Sequence, residues 1–213
     1  MPATQITRNP TKRRQRYSDL TLDEVRKRFK LKILRPNLFE PVKPLEPSTW
    51  LKSALAGGVA MSIVSEKARS EFIVAPILVY IREVYQEKIS IFSGVKFDVE
   101  PERGLRGTCD FILSKSVMLP TVQSPAFVMV EAKKNDIEEG LGQCAAEMVA
   151  AQLFNQREGN QVPNIYCCVT NGENWQFLRL TDTTLEIGKP RYFLGKLSEV
   201  LGILSHIVKK VLA

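Results

Sequence analysis

Two carboxylates and a lysine stand in apolar, strand-like segments of this sequence. Glu131 and Lys133 end the segment Phe-Val-Met-Val-Glu-Ala-Lys at residues 127–133, and Asp110 lies within Thr-Cys-Asp-Phe-Ile-Leu at residues 108–113. Because side chains alternate along a strand, Glu131 and Lys133 should point to one face. Carboxylate oxygens hold a hard divalent cation, and an ammonium group can orient or activate a water molecule. The pattern therefore predicts a Mg²⁺ site for phosphodiester cleavage; the alternative is a solvated strand end with an ordinary Glu and Lys.

The Asp, Glu-x-Lys pattern resembles that of the PD-(D/E)XK nuclease superfamily, over about residues 65–181. The resemblance implies that Asp110 and Glu131 bind the metal together with the backbone carbonyl of Ala132, and that Lys133 assists the attacking water. It also implies Mg²⁺ as cofactor, with Mn²⁺ able to substitute. Cys109 stands where many members have proline before the aspartate. The chain is further similar to the N-terminal nuclease domains of type I restriction enzymes, and to stand-alone members of the superfamily from cyanobacteria that have no assigned role.

The same resemblance adds two helical positions. Ser-Glu-Lys-Ala-Arg at residues 65–69 matches a first core helix that carries an acid near the metal, which makes Glu66 the candidate and Glu71 the second choice. The two lie about 140° apart on an α-helix, so both should not face one site. On a later helix, Gln143 matches the glutamine of a Gln-x-x-x-Tyr pattern, while Glu147 replaces the tyrosine. The alternatives are a first-turn glutamate favoured by the helix dipole and an ordinary polar helix face.

Positive charge is concentrated at the beginning of the chain. Residues 1–43 hold 12 Lys and Arg against 4 Asp and Glu, a balance of +8 within a total net charge of +7. Such a cluster can dock onto phosphates, or can serve as a solubilising tail followed by an exposed helix face. Two further arginines shortly before Asp110 could meet a phosphate or be solvated. The candidate nucleic-acid-binding residues are Lys12, Arg13, Arg14, Arg16, Arg103 and Arg106.

The order of predicted elements matches a restriction-endonuclease-like core. We predict an α/β domain at residues 49–213, with a mixed central β-sheet flanked by helices, after a basic N-terminal arm and Pro-rich linker at residues 1–48. A capping box at Thr21 should begin a helix, and Gly57-Gly58 should halt a short one. The other predicted elements are a helix at 65–86 kinked at Pro76, a hairpin around Gly94, a helix at 136–156, strands at 165–170 and 175–180, and an amphipathic helix at 196–212.

These patterns favour a metal-dependent nuclease that hydrolyses phosphodiester bonds in DNA, as an endodeoxyribonuclease. A two-fold homodimer would suit the cutting of two strands. The alternative is a catalytically silent module that keeps the fold and binds nucleic acid or a partner protein. No apolar run reaches the ~18 residues of a membrane span, so we expect a cytoplasmic protein without membrane contact. The four cysteines lack a C-x-x-C spacing, and we expect buried, reduced thiols.

Overall fold

The computed structural model describes residues 14–39, 42–62, 65–86, 88–116, 120–133 and 136–213. It confirms a mixed α/β fold in which helices flank a mixed sheet of eight strands. The helices are α1 (Leu22–Phe29), α2 (Thr49–Ser62), α3 (Glu66–Arg69), α4 (Ala75–Val84), α5 (Gly140–Arg157) and α6 (Leu197–Leu212). The strands are β1 (Lys32–Leu34), β2 (Ser90–Lys96), β3 (Thr108–Ser114), β4 (Ala126–Ala132), β5 (Ile165–Thr170), β6 (Asn174–Thr181), β7 (Thr184–Ile187) and β8 (Tyr192–Phe193).

The strand order brings the two acidic segments together at the centre of the sheet. The order is β1-β7-β6-β5-β4-β3-β2, with β8 beside β6. β4 runs parallel to β5 and antiparallel to β3, where Phe111 pairs with Val130. Continuing this register by one step places Asp110 opposite Glu131. Directly opposite side chains in an antiparallel pair have Cβ atoms about 5 Å apart.

Both faces of the sheet are covered, which explains why its central strands are apolar at nearly every position. In β5, Cys167 and Val169 belong to the apolar cluster formed with α1 and α5, while Tyr166 and Cys168 belong to the cluster formed with α2, α4 and α6. The period of two thus divides one strand between two cores. In β3, Cys109 and Ile112 share the first cluster although three positions separate them, so the alternation is interrupted beside Asp110.

Residues 14–39, which the sequence assigns to the arm, pack against the domain. Tyr17 and Val25 are fully buried in the α5 side of the core, and β1 extends the sheet by pairing with β7. The predicted capping box at Thr21 is present, since Thr21 and Glu24 exchange hydrogen bonds. The apolar side chains of this stretch leave water only by joining the larger core, which is why it does not extend away. Lys12 and Arg13 lie outside the described residues.

Two local expectations are wrong, and one predicted helix is irregular. α2 continues through the glycine pair instead of ending there. Glycine is needed at position 58 because the backbone of Phe72 packs against it, and an added Cβ would lie 2.2 Å from the Phe72 carbonyl oxygen. Residues 90–96 form one strand, so no hairpin turns at Gly94, which has φ of 62°. The predicted helix at 65–86 is not a single regular α-helix, because a π turn at Ser70–Val74 precedes Pro76 and Ala75 N–H donates to Ser70 O. Proline lacks an N–H and crowds the preceding turn, which favours such a widened turn.

The cysteines are also not all reduced. Cys144 on α5 and Cys167 on β5 form a disulfide, whereas Cys109 and Cys168 are free and buried. The spacing of cysteines in a sequence does not reveal which of them the fold brings into contact. Among the described residues, no helix is long and apolar enough to cross a membrane.

Candidate active site

Four carboxylates border one pocket, at the point where β3 and β4 lie beside the start of α3, and three of them are candidates from the sequence. Asp110, Glu131 and Glu66 line this pocket, whose volume is about 360 Å³. The backbone N–H of Ala132 donates to Oδ2 of Asp110 at 2.8 Å, which fixes that carboxylate beside the Glu131 strand. The structure thus brings Asp110, Glu131 and the Ala132 backbone together, as their positions in neighbouring strands require.

Glu131 is the most constrained member of the site. Its side chain is 3% exposed, and its Oε1 accepts a hydrogen bond of 2.7 Å from Lys133 Nζ. Its Oε2 is buried and has no hydrogen-bond partner among the described residues. Burial and then the neighbouring Asp110 raise the pKa of Glu131 to about 8, against the opposing effect of Lys133. Burial likewise raises the pKa of Asp110, although the Ala132 N–H and Lys133 oppose it.

Lys133 connects Glu131 to two polar side chains of α5. Its Nζ donates to Gln143 Oε1 at 3.0 Å, and Gln143 Nε2 donates to Glu147 Oε1 at 3.0 Å. Gly140 leaves room for this arrangement, because an added Cβ would lie 3.2 Å from the Lys133 chain and 2.6 Å from Val169. Burial lowers the pKa of Lys133, but Glu131 more than offsets this effect, so the net pKa is raised and the lysine remains charged.

Glu147 ends this chain of hydrogen bonds inside the protein. It is fully buried, its Oε2 lacks a partner among the described residues, and burial followed by Glu131 raises its pKa well above the usual range. Burial disfavours the charged form of a carboxyl, which is the direction of this shift. Glu147 therefore fixes the side-chain amide of Gln143 beneath the site. The sequence indicated only that Glu147 shares a helix face with Gln143, four positions before it.

Glu66 and Glu71 both border the pocket, contrary to the expectation that only one would do so. Glu71 forms an ion pair of 2.7 Å with Lys67, which borders the same pocket. The expectation used the regular 100° spacing of an α-helix, and the π turn that begins at Ser70 departs from it.

The oxygen atoms of Asp110, Glu131 and the Ala132 backbone are of the type that Mg²⁺ prefers as ligands. Among the described residues, no group of three or more His, Cys, Asp or Glu side chains is arranged to hold a metal ion. Mg²⁺, however, is usually bound by one or two carboxylates, with waters and substrate phosphates completing its octahedron. Asp110 and Glu131 supply two such carboxylates, and the buried Oε2 of Glu131 is an acceptor oxygen without a protein donor. The carbonyl of Ala132 would be a third oxygen of the right type.

The candidate phosphate-binding arginines separate into two groups. Arg103 donates to Glu100 at 2.8 Å and lies 4.5 Å from the Phe29 ring centroid, so its guanidinium is held away from the site. Arg14 is exposed and pairs with Glu102 at 2.7 Å. Arg16 and Arg106 instead line a second pocket, together with Lys96, which sequence reasoning missed. Lys96 is one polar residue in an ordinary strand, and only its pairing with Thr108 brings it there.

The sequence was compared with family models and with curated proteins. No family model matches it, and no curated protein matches it in sequence. Function must therefore be inferred from the chemistry of the pocket and of the residues around it.

Proposed function

We propose that the protein is a metal-dependent nuclease with a restriction-endonuclease-like core, and that it hydrolyses phosphodiester bonds in DNA. The observation that carries this proposal is the Oε2 of Glu131, a buried acceptor with no hydrogen-bond partner among the described residues, opposite Asp110. Leaving such an oxygen unsatisfied costs about 1–3 kcal/mol. Binding of a divalent cation by Asp110 and Glu131 would offset this cost and the mutual repulsion of the two carboxylates.

Each residue of the site then has a role. Asp110, Glu131 and the Ala132 carbonyl would hold Mg²⁺ or Mn²⁺. When bound, the cation supplies a Lewis acid and lowers the pKa of a coordinated water. Lys133 is charged and fixed by Glu131 and Gln143, so its ammonium group can orient the attacking water and stabilise negative charge on the phosphate. Glu66, at the border of the pocket, can accept a hydrogen bond from a water there.

The test separates cation binding from chemistry. We expect wild type to nick supercoiled DNA in Mn²⁺. Lys133→Ala should reduce cleavage by roughly 10²- to 10³-fold, the usual cost of removing one group that stabilises charge in the transition state, yet retain Mn²⁺ binding in titration calorimetry. Asp110→Asn should lose both, because the amide lacks the charge that a hard cation prefers. Lys67→Ala is the matched control, since this lysine borders the same pocket but pairs with Glu71, and it should retain both.

Two results would refute the nuclease. One is the absence of cleavage by wild type in Mg²⁺ and in Mn²⁺, on supercoiled, linear and single-stranded substrates. The other is equal residual cleavage in wild type, Lys133→Ala and Asp110→Asn, which indicates a contaminating enzyme. Either would favour a catalytically silent module that binds nucleic acid or a partner protein.

A further inference from the structure

A second pocket adjoins the candidate active site and shares Gln143 with the hydrogen-bond chain that holds Lys133. It has a volume of about 350 Å³ and opens between the 3-10 turn Tyr17–Asp19 and the β2–β3 connection. We call it the basic pocket, and its polar lining residues include Arg16, Lys96, Asp98, Arg106, Thr108 and Gln143. Its volume lies within the range of ligand sites, about 300–1,000 Å³.

The walls of the basic pocket are held together by backbone contacts. Tyr17 N–H donates to Arg106 O at 2.9 Å, and the Tyr17 hydroxyl donates to Phe97 O at 2.6 Å. The Tyr17 ring rests on Gly107, where an added Cβ would lie 3.0 Å from the ring and where φ is 145°. Arg16 and Arg106, distant in sequence, are thereby fixed on one cavity before any ligand arrives, which lowers the entropy lost on binding.

The lining carries more positive than negative charge. Arg16, Lys96 and Arg106 oppose a single acid, Asp98. Asp98 is already engaged, because it accepts the Gly107 N–H at 2.9 Å and pairs with Lys96 Nζ at 3.1 Å. The Nε of Arg106 is buried and has no hydrogen-bond acceptor among the described residues. An unsatisfied guanidinium donor in a cationic cavity calls for an anion with several oxygens, and phosphate matches the planar fork of arginine.

We propose that the basic pocket binds a phosphate group of the substrate strand while a neighbouring phosphodiester lies at Asp110 and Glu131. This role rests on the proposed nuclease function. Thr108 in the basic pocket precedes Asp110 by two positions in β3, a distance of about 7 Å along a strand. Successive nucleotides of one strand of B-DNA rise about 3.4 Å each. The bound phosphate is therefore one or two nucleotides from the scissile bond, and it is either an internal phosphodiester or a terminal phosphate.

The experiment measures binding without cleavage. Fluorescein-labelled DNA oligonucleotides, single- and double-stranded, with and without a terminal phosphate, are titrated with full-length protein in EDTA at several salt concentrations. Arg106→Gln and Lys96→Ala should each weaken binding about tenfold, the loss of one charge-assisted hydrogen bond, and should lower the salt slope by about one. Lys96 is exposed, so its substitution leaves the fold intact. Arg103→Ala is the matched control, since this arginine is held by Glu100 and Phe29, and it should bind as wild type.

An effect confined to oligonucleotides with a terminal phosphate supports the proposal and identifies the ligand as that group, whereas an equal effect on all oligonucleotides supports an internal phosphodiester. Unchanged affinity and salt slope in both Arg106→Gln and Lys96→Ala would overturn it. Since binding in EDTA needs no metal, the two proposals fail separately. If these variants bind more weakly but wild type does not cleave DNA, the nuclease proposal is refuted and the phosphate-binding proposal stands. If wild type cleaves DNA but the variants bind as tightly as wild type, the phosphate-binding proposal is refuted and the nuclease proposal stands.

Discussion

Replacing Glu131 by glutamine should change how stability depends on pH. Burial and the nearby Asp110 and Glu66 raise the pKa of Glu131 from 4.5 to about 8, while Lys133 opposes them. The folded protein therefore holds a proton on Glu131 that the unfolded chain releases above its ordinary pKa. Stability contributed by this proton is fully present below pH 4.5 and is lost as pH rises to about 8.

The size of the effect follows from the shift. Each pKa unit corresponds to about 1.4 kcal/mol, so the metal-free protein should lose on the order of 5 kcal/mol of unfolding free energy over that interval through Glu131. Glu131→Gln carries no proton to release, and it should flatten this part of the curve. In wild type, a divalent cation would replace the proton, so Mn²⁺ should stabilise the protein more at pH 8 than at pH 5.5, by mass action.

Urea unfolding in EDTA and in Mn²⁺, at several pH values between 5 and 9, measures these quantities. Glu71→Gln is the matched control because it removes a carboxylate that borders the same pocket but is half exposed and paired with Lys67. This control should keep the pH dependence of wild type. Two results would refute the proposal that Glu131 is a buried acid that binds a cation. One is an equal pH dependence of the unfolding free energy in wild type and Glu131→Gln, and the other is stabilisation by Mn²⁺ that does not increase with pH.

Two further predictions concern the beginning of the chain and the disulfide. Deleting residues 1–13 removes Arg8, Lys12 and Arg13, and in salt-dependent DNA-binding assays it should weaken binding and flatten the salt slope; an unchanged slope would favour a solubilising tail, whereas deletion of residues 1–43 should unfold the protein because Tyr17 and Val25 are core residues. Replacing Cys144 and Cys167 together by alanine should lower the unfolding free energy by about 3 kcal/mol, the loop entropy for a separation of 23 residues; urea unfolding should show the same loss in reduced wild type, and equal stability of the two forms would contradict it.

The placement of the acids could be predicted because it depends on local pattern. Alternation in two apolar strands put Glu131 and Lys133 on one side and made Asp110 an interior acid. Their approach then required only that β3 and β4 be neighbours, which is the common arrangement for consecutive strands. Gln143 and Glu147 share a helix face by their spacing of four, and the structure shows them hydrogen-bonded.

The rest depended on contacts between distant segments. Gly58 allows the Phe72 backbone to pack against α2, and the residues next to Gly58 in the sequence do not indicate this contact. The basic charge of residues 14–39 favoured an arm, yet Tyr17 and Val25 in this stretch are buried in the core and β1 pairs with β7. The disulfide and the basic pocket likewise join residues whose proximity arises from the fold, so charge and spacing alone could not show that Lys96 and Arg106 line the same pocket.

The neighbouring pockets impose a condition on each other. A strand whose phosphate occupies the basic pocket brings its next phosphate toward Asp110 and Glu131, and like charges about 4 Å apart repel by about 1–4 kcal/mol at dielectric constants between those of water and the protein surface. A protein that only binds nucleic acid would bind it more tightly without Asp110 and Glu131, because both repel phosphate when ionised. Their ionised forms also destabilise the folded state, because burial disfavours charge. If Asp110 and Glu131 held a divalent cation, its charge would attract the phosphate and offset the repulsion between the two acids. A cationic cavity beside a buried Glu131 and a partly buried Asp110 therefore supports the proposed metal-dependent chemistry over binding alone.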